Sequence, residues 1–152
     1  MLNQIKNYVQ LTPTIGTSGQ PTADQFSVIA DAGYQSIINL AMPDSDYAIA
    51  TEGSIVTTLG MAYIHIPVPF EQPTAQHLKI FIQVMDAFAD RNVWVHCAAN
   101  YRVSAFLYHY RQLRQGCSAQ VARSPMFERW KPDDVWQAFL DLEHHKLGLD
   151  HA

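Results

Sequence analysis

The chain has 152 residues, 48% of them hydrophobic and 16% charged, with a formal net charge of −4. This length supports one domain with a substantial core and no need of disulfides or metals, and the composition excludes a disordered or fibrous chain. Lys and Arg are scattered, so no basic stripe awaits a nucleic-acid backbone or an anionic membrane, and nowhere do about 18 apolar residues run together as a bilayer span requires.

The opening MLNQIKNYVQLTP lacks an apolar h-region with a small-residue cleavage site, so the expectation is a soluble cytoplasmic protein, one domain over 1–152. TADQFSVIADAG begins at Thr22 and has Gln25 three residues on and Gly33 at its end, which predicts a helix with a capping box and a left-handed stop. YQSIINL (34–40) reads as a buried strand, and AMPDSDYAIATEG (41–53) opens with loop chemistry before a second helix, EGSIVTTL, that stops at Gly60. MAYIHIPV (61–68) reads as a strand halted by Pro67 and Pro69.

Leu78, Phe81, Ile82, Met85 and Phe88 recur at helical spacing, which predicts an amphipathic helix over 74–89. Residues 92–96 form the third expected strand, and Val103, Phe106, Leu107, Tyr110 and Leu113 mark a helix closed by Gly116. Further helices are expected around 118–124 and 133–147. Strands separated by helices of these lengths imply an α/β fold, a parallel-type central sheet joined by right-handed crossovers with helices on both faces.

The segment VHCAANYRVS (95–104) carries the chemistry. Cys97 falls where a buried strand gives way to a helix, the place at which open α/β sheets put their ligand sites. The unpaired N–H groups and dipole of a helix N-terminus favour a tetrahedral anion or a thiolate there. A loop that turns its N–H groups inward needs positive φ, which Asn100 tolerates best after glycine. The loop Ala98, Ala99, Asn100, Tyr101 and Arg102 is therefore the expected oxyanion cradle, with the Arg102 guanidinium gripping two oxygens. Ser104 is placed to hydrogen-bond the sulfur and ease its departure from a covalent intermediate, and His96 to order the loop.

His-Cys, a loop, then Arg and Ser resembles the cysteine-dependent phosphatases of the tyrosine and dual-specificity type. The segment TSGQPTADQFSVIADAGYQSIINL (17–40) is similar to the opening of bacterial phosphatase-like proteins related to beta-lactamase-hydrolase-like domains and of atypical dual-specificity phosphatases. The resemblance implies a protein tyrosine phosphatase-like fold and hydrolysis of phosphate monoesters through a phosphocysteine, with no metal or cofactor. The implied partner is a phosphorylated substrate or other small oxyanion.

That superfamily places five residues between Cys and Arg, with Gly third after Cys and Ser or Thr directly after Arg. Here four residues separate Cys97 from Arg102, and Val103 precedes Ser104. The short spacing resembles rhodanese-type sulfurtransferase loops, whose Cys carries a persulfide, and the beta-lactamase-hydrolase-like relatives share it. The resemblance also implies a general acid, usually Asp, on the loop after the strand preceding the long crossover helix. PVPFEQPT (67–74) offers Glu71 there, with Asp44 and Asp46 on the preceding loop as alternatives. A chain without a working acid would be an anion-binding pseudo-phosphatase.

Cys117 reads as structural, because a helix about 20 Å long over 103–115 keeps it from bonding to Cys97. His144 and His145 point apart on a helix and make no metal pair. His65 and His109 read as satisfied core histidines, and Trp94, Trp130 and Trp136 as packing residues.

Overall fold

A computed structural model describes residues 1–149. Five strands, β1 (Val9–Thr12), β2 (Ile15–Ser18), β3 (Ser36–Asn39), β4 (Ala62–His65) and β5 (Val93–His96), form one sheet in the order β1-β2-β5-β3-β4. β5 lies between β2 and β3 and runs parallel to both, β4 is parallel to β3, and β1 alone is antiparallel. Both faces of the sheet are covered, as the α/β reading requires. The alternation of strand side chains sends Ile37 and Trp94 to one face, where Phe26, Ile29 and Val56 pack from α1 (Gln25–Asp31) and α2 (Glu52–Thr58). Ile38, Val93 and Val95 face the other way. There they meet α3 (Ala75–Ala87), α4 (Tyr101–Gln115) and, beyond the short α5 (Ala119–Ala122), α6 (Asp134–Leu140). Among the described residues, no helix is long and apolar enough to cross a membrane.

The predicted punctuation is present. Thr22 and Gln25 exchange backbone-to-side-chain bonds of 2.9 and 3.3 Å, and Gly33, Gly60 and Gly116 adopt positive φ after α1, α2 and α4. Four expectations need correction. Residues 9–18 form a β-hairpin absent from the sequence reading, so 92–96 is the fifth strand and the central one. Pro13 and Gly16 hid that hairpin, since both weaken a strand signal. Gly16 is there because a Cβ would stand 2.4 Å from the Trp94 ring. The stretch 133–147 is broken: α6 ends at Leu140, and a separate 3-10 turn spans His144–Leu147. Around 118–124 only α5 is α-helical, followed by a 3-10 turn, Pro125–Glu128. His65 is exposed, not a core residue, although its Nε2 lies 2.6 Å from Ala41 O.

His109 is fully buried on α4, its Nε2 donating to Phe139 O at 2.8 Å and its Nδ1 lying 2.7 Å from His144 Nε2. Burial drives its pKa down from 6.5 to about 4, against the pull of the Phe139 carbonyl. The unfolded chain therefore takes up this proton at a higher pH than the native protein. The resulting stabilisation is complete above pH 6.5 and is lost as pH falls toward 4, by about 3 kcal/mol in all. Urea denaturation at pH 7.5 and pH 4.5 should show this loss, and His109→Phe should flatten that part of the profile.

Candidate active site

Four parallel strands end in step. Ser18 pairs with His96, His96 with Asn39, and Asn39 with His65, so the connections after them converge on one edge of the sheet. Cys97 is the first residue beyond β5 and is 1% exposed. The chain then turns at Asn100, whose φ of 69° is left-handed, and enters α4. The turn is held by Asn100 Nδ2, which donates to Asn7 O at 2.8 Å and Thr17 Oγ1 at 3.1 Å.

The loop carbonyls are turned outward. Ala98 O accepts from Gln20 N at 3.0 Å, Ala99 O from Asn7 Nδ2 at 2.9 Å, and Asn100 O from Ser104 Oγ at 2.6 Å. Peptide planarity then points the N–H groups of Ala99 and Asn100 the opposite way. Among the described residues, nothing accepts the N–H groups of residues 98–102. Acceptor-free amides at the start of a helix suit an anion.

Arg102 sits in the first turn of α4 and is 5% exposed. Its Nη1 donates to Val68 O at 2.8 Å, Nη2 lies 3.4 Å from Ser45 Oγ, and its plane stands 5.5 Å from the Phe70 ring centroid. Its Nε is buried with no partner. Arg102 lines a recess of about 370 Å³ with Glu71, Phe70 and Pro69 from the loop after β4 and Asp44, Ser45, Asp46 and Met42 from the loop after β3. The fold thus brings Glu71, Asp44 and Asp46 to the arginine, while Cys97 does not line that recess. The Ser104 hydroxyl proton is directed at Asn100 O, not at sulfur. Cys117 and Cys97 are both free thiols.

His96, fully buried, was expected to order the loop, and its partners were not foreseen. Its Nε2 lies 2.6 Å from Glu52 Oε2, and its Nδ1 lies 3.3 Å from Cys97 O. Gln20 Nε2 donates to Glu52 Oε1 at 2.8 Å, while its backbone N–H holds Ala98 O. Burial alone would raise the Glu52 carboxyl. The His96 hydrogen bond and charge, with the Gln20 amide, outweigh burial and leave it below its ordinary 4.5. In sequence, Glu52 reads as a solvated acid in the first turn of a helix, and nothing local signals its burial at 2% exposure.

A cysteine directly after the central strand, a left-handed turn and a buried arginine on the following helix, on this sheet, are the layout of a protein tyrosine phosphatase-like domain. The chain belongs to the family described as DSP-PTPase phosphatase fused to NAD+ kinase, whose model matches residues 9–135. It is 30% identical over 112 residues to a beta-lactamase hydrolase-like protein of Xylella fastidiosa, covering 71% of this chain but only 25% of that protein. The chain thus spans about a quarter of the length of the curated relatives it matches. It is 36% identical to the solved "Putative phosphatase (DUF442)" of Shewanella putrefaciens CN-32, with TM-score 0.82 and 91% of each chain covered. The TpbA protein of P. aeruginosa, solved in complex with pTyr, shares the fold at TM-score 0.71 and 15% identity, over 93% of this chain and 87% of that one.

Proposed function

We propose that the domain hydrolyses phosphate monoesters through a phosphocysteine. The observation that carries this reading is the set of acceptor-free donors in the segment that follows Cys97, namely the N–H groups of 98–102 and Arg102 Nε. In the first step the Cys97 thiolate attacks phosphorus, the S–P bond forms, and the P–O bond to the leaving group breaks. The departing oxygen takes a proton from Glu71. A water then attacks the phosphocysteine, gives its proton to Glu71, and the S–P bond breaks to release phosphate and thiolate. The loop amides and Arg102 hold the equatorial oxygens throughout, where charge builds up. Ser104 supports the cradle by fixing Asn100 O, and stabilising the departing sulfur would take a rotation of its side chain. Cys97 is 1% exposed, so a phosphoryl group reaches its sulfur only if the side chains around it move.

The test is turnover of a panel of aryl phosphates by the purified protein, together with protection of Cys97 from iodoacetamide by inorganic phosphate. Absence of both would remove the proposal. Arg102→Lys keeps the charge but loses the planar fork, and kcat/KM should fall about 100-fold, with phosphate protection weakened in parallel.

The four-residue spacing between Cys97 and Arg102 supports a second reading, sulfur transfer through a Cys97 persulfide. Mass spectrometry after incubation with thiosulfate should then show one added sulfur on Cys97. An unmodified thiol counts against this reading.

A further inference from the structure

The recess around Arg102 carries a charge imbalance that phosphate binding leaves in place. Asp44, Asp46 and Glu71 line it, all three are exposed, and none takes part in an ion pair or a side-chain hydrogen bond among the described residues. Among the described residues, Arg102 is the only cation on its wall. Lys6 is held elsewhere: its ammonium stands 4.4 Å from the Tyr47 ring centroid and lines a separate cavity of about 670 Å³.

The buried Arg102, with its Nε unpartnered, is the anion-binding element at this place, and a phosphoryl dianion would neutralise it. The carboxylates of Asp44 and Asp46, and that of Glu71 once it has given up its proton, then face the group that carries the phosphate. Among the described residues, no three His, Cys, Asp or Glu side chains converge closely enough to hold a metal ion. The carboxylates therefore act as a field around the mouth and not as a chelate.

Resting on the phosphatase reading above, we propose that this site selects phosphate monoesters whose carrier is positively charged beside the phosphate. A polyanionic substrate is repelled at the same rim. Such a substrate presents its phosphate to Arg102 and the loop amides, and its cationic group to Asp44 and Asp46. The preference is Coulombic and solvent-exposed, so it weakens as salt is added.

The experiment compares two phosphotyrosyl peptides of equal length, one with Arg on both sides of the phosphotyrosine and one with Glu. A second pair, O-phosphoethanolamine and glycerol 1-phosphate, distinguishes a small amine ester from a basic peptide as the source of the cation. At low ionic strength the Arg peptide should be favoured about tenfold in kcat/KM, or in Kd for Cys97→Ser protein. The ratio should shrink toward one at about 0.5 M salt and in Asp44→Asn/Asp46→Asn protein. The ratio cancels any loss of rate common to both peptides. Equal use of the two peptides, preference for the Glu peptide, or binding of neither overturns the proposal. Protection of Cys97 by inorganic phosphate separates the two layers. If protection persists while the ratio is flat, only the selectivity falls; if protection is absent as well, the phosphatase reading falls with it.

Discussion

Cys97→Ser should abolish turnover of aryl phosphates, by about 10⁴-fold or more, while changing stability by no more than about 1 kcal/mol. The two side chains are nearly isosteric, and although the position is buried at 1% exposure, the acceptor-free N–H groups of the loop that follows can satisfy a serine oxygen, which keeps the cost of burying it small. The chemistry is lost, because a serine hydroxyl stays protonated at neutral pH and, among the described residues, no base hydrogen-bonds the side chain at this position. Initial rates with an aryl phosphate, beside thermal melting of the same preparations, make the comparison. Turnover that survives the substitution would place the reaction elsewhere. A wild-type protein with no turnover that still binds phosphate would be a pseudo-phosphatase.

Glu52→Gln should cost about 3 kcal/mol of unfolding free energy at neutral pH. Removing one partner of a buried pair leaves the other uncompensated, and glutamine's retained hydrogen bonding keeps the loss at the low end of such effects. Its carboxyl is held below the ordinary 4.5 by His96 and Gln20 against the upward push of burial. A carboxyl depressed in the native state contributes stability that is fully present above its unfolded value. That contribution disappears as pH falls through the native value. Wild type and variant should therefore differ most at neutral pH and converge in acid, as urea midpoints between pH 7 and pH 3 will show. A constant gap across that range would mean that Glu52 stabilises through packing alone. Gln20 joins Glu52 to Ala98 O, so the same substitution should loosen the Cys97 loop.

Much of the architecture was legible because it rests on local chemistry. The Thr22–Gln25 capping box, the glycines at 33, 60 and 116, and the helical spacing of Leu78, Phe81, Ile82 and Met85 each act within a few residues. The hairpin of β1 and β2 was not legible, because Gly16 answers to the Trp94 ring, 78 positions away in the chain. The single long helix read over 133–147 failed for a similar reason. Apolar spacing runs on past Leu140, but the chain turns there so that His144 meets the buried His109.

The candidate site divides along the same line. Cys97, Asn100 and Arg102 lie within six consecutive residues, and their order along a strand-to-helix junction sets the type of chemistry before any folding is considered. Asn100 in the left-handed region was predictable because few other residues tolerate it. What the loop rests on depends on chain crossings that only the folded sheet creates. Asn7 and Thr17 hold Asn100, Gln20 holds Ala98, Val68 O and Ser45 hold Arg102, and Glu52 holds His96. A buried carboxylate such as Glu52 looks like any surface acid until tertiary packing removes its water, and Asp44, Asp46 and Glu71 become one charged rim only when two loops meet over Arg102. Local composition thus sets which groups are available, whereas desolvation and long-range pairing decide which of them act together.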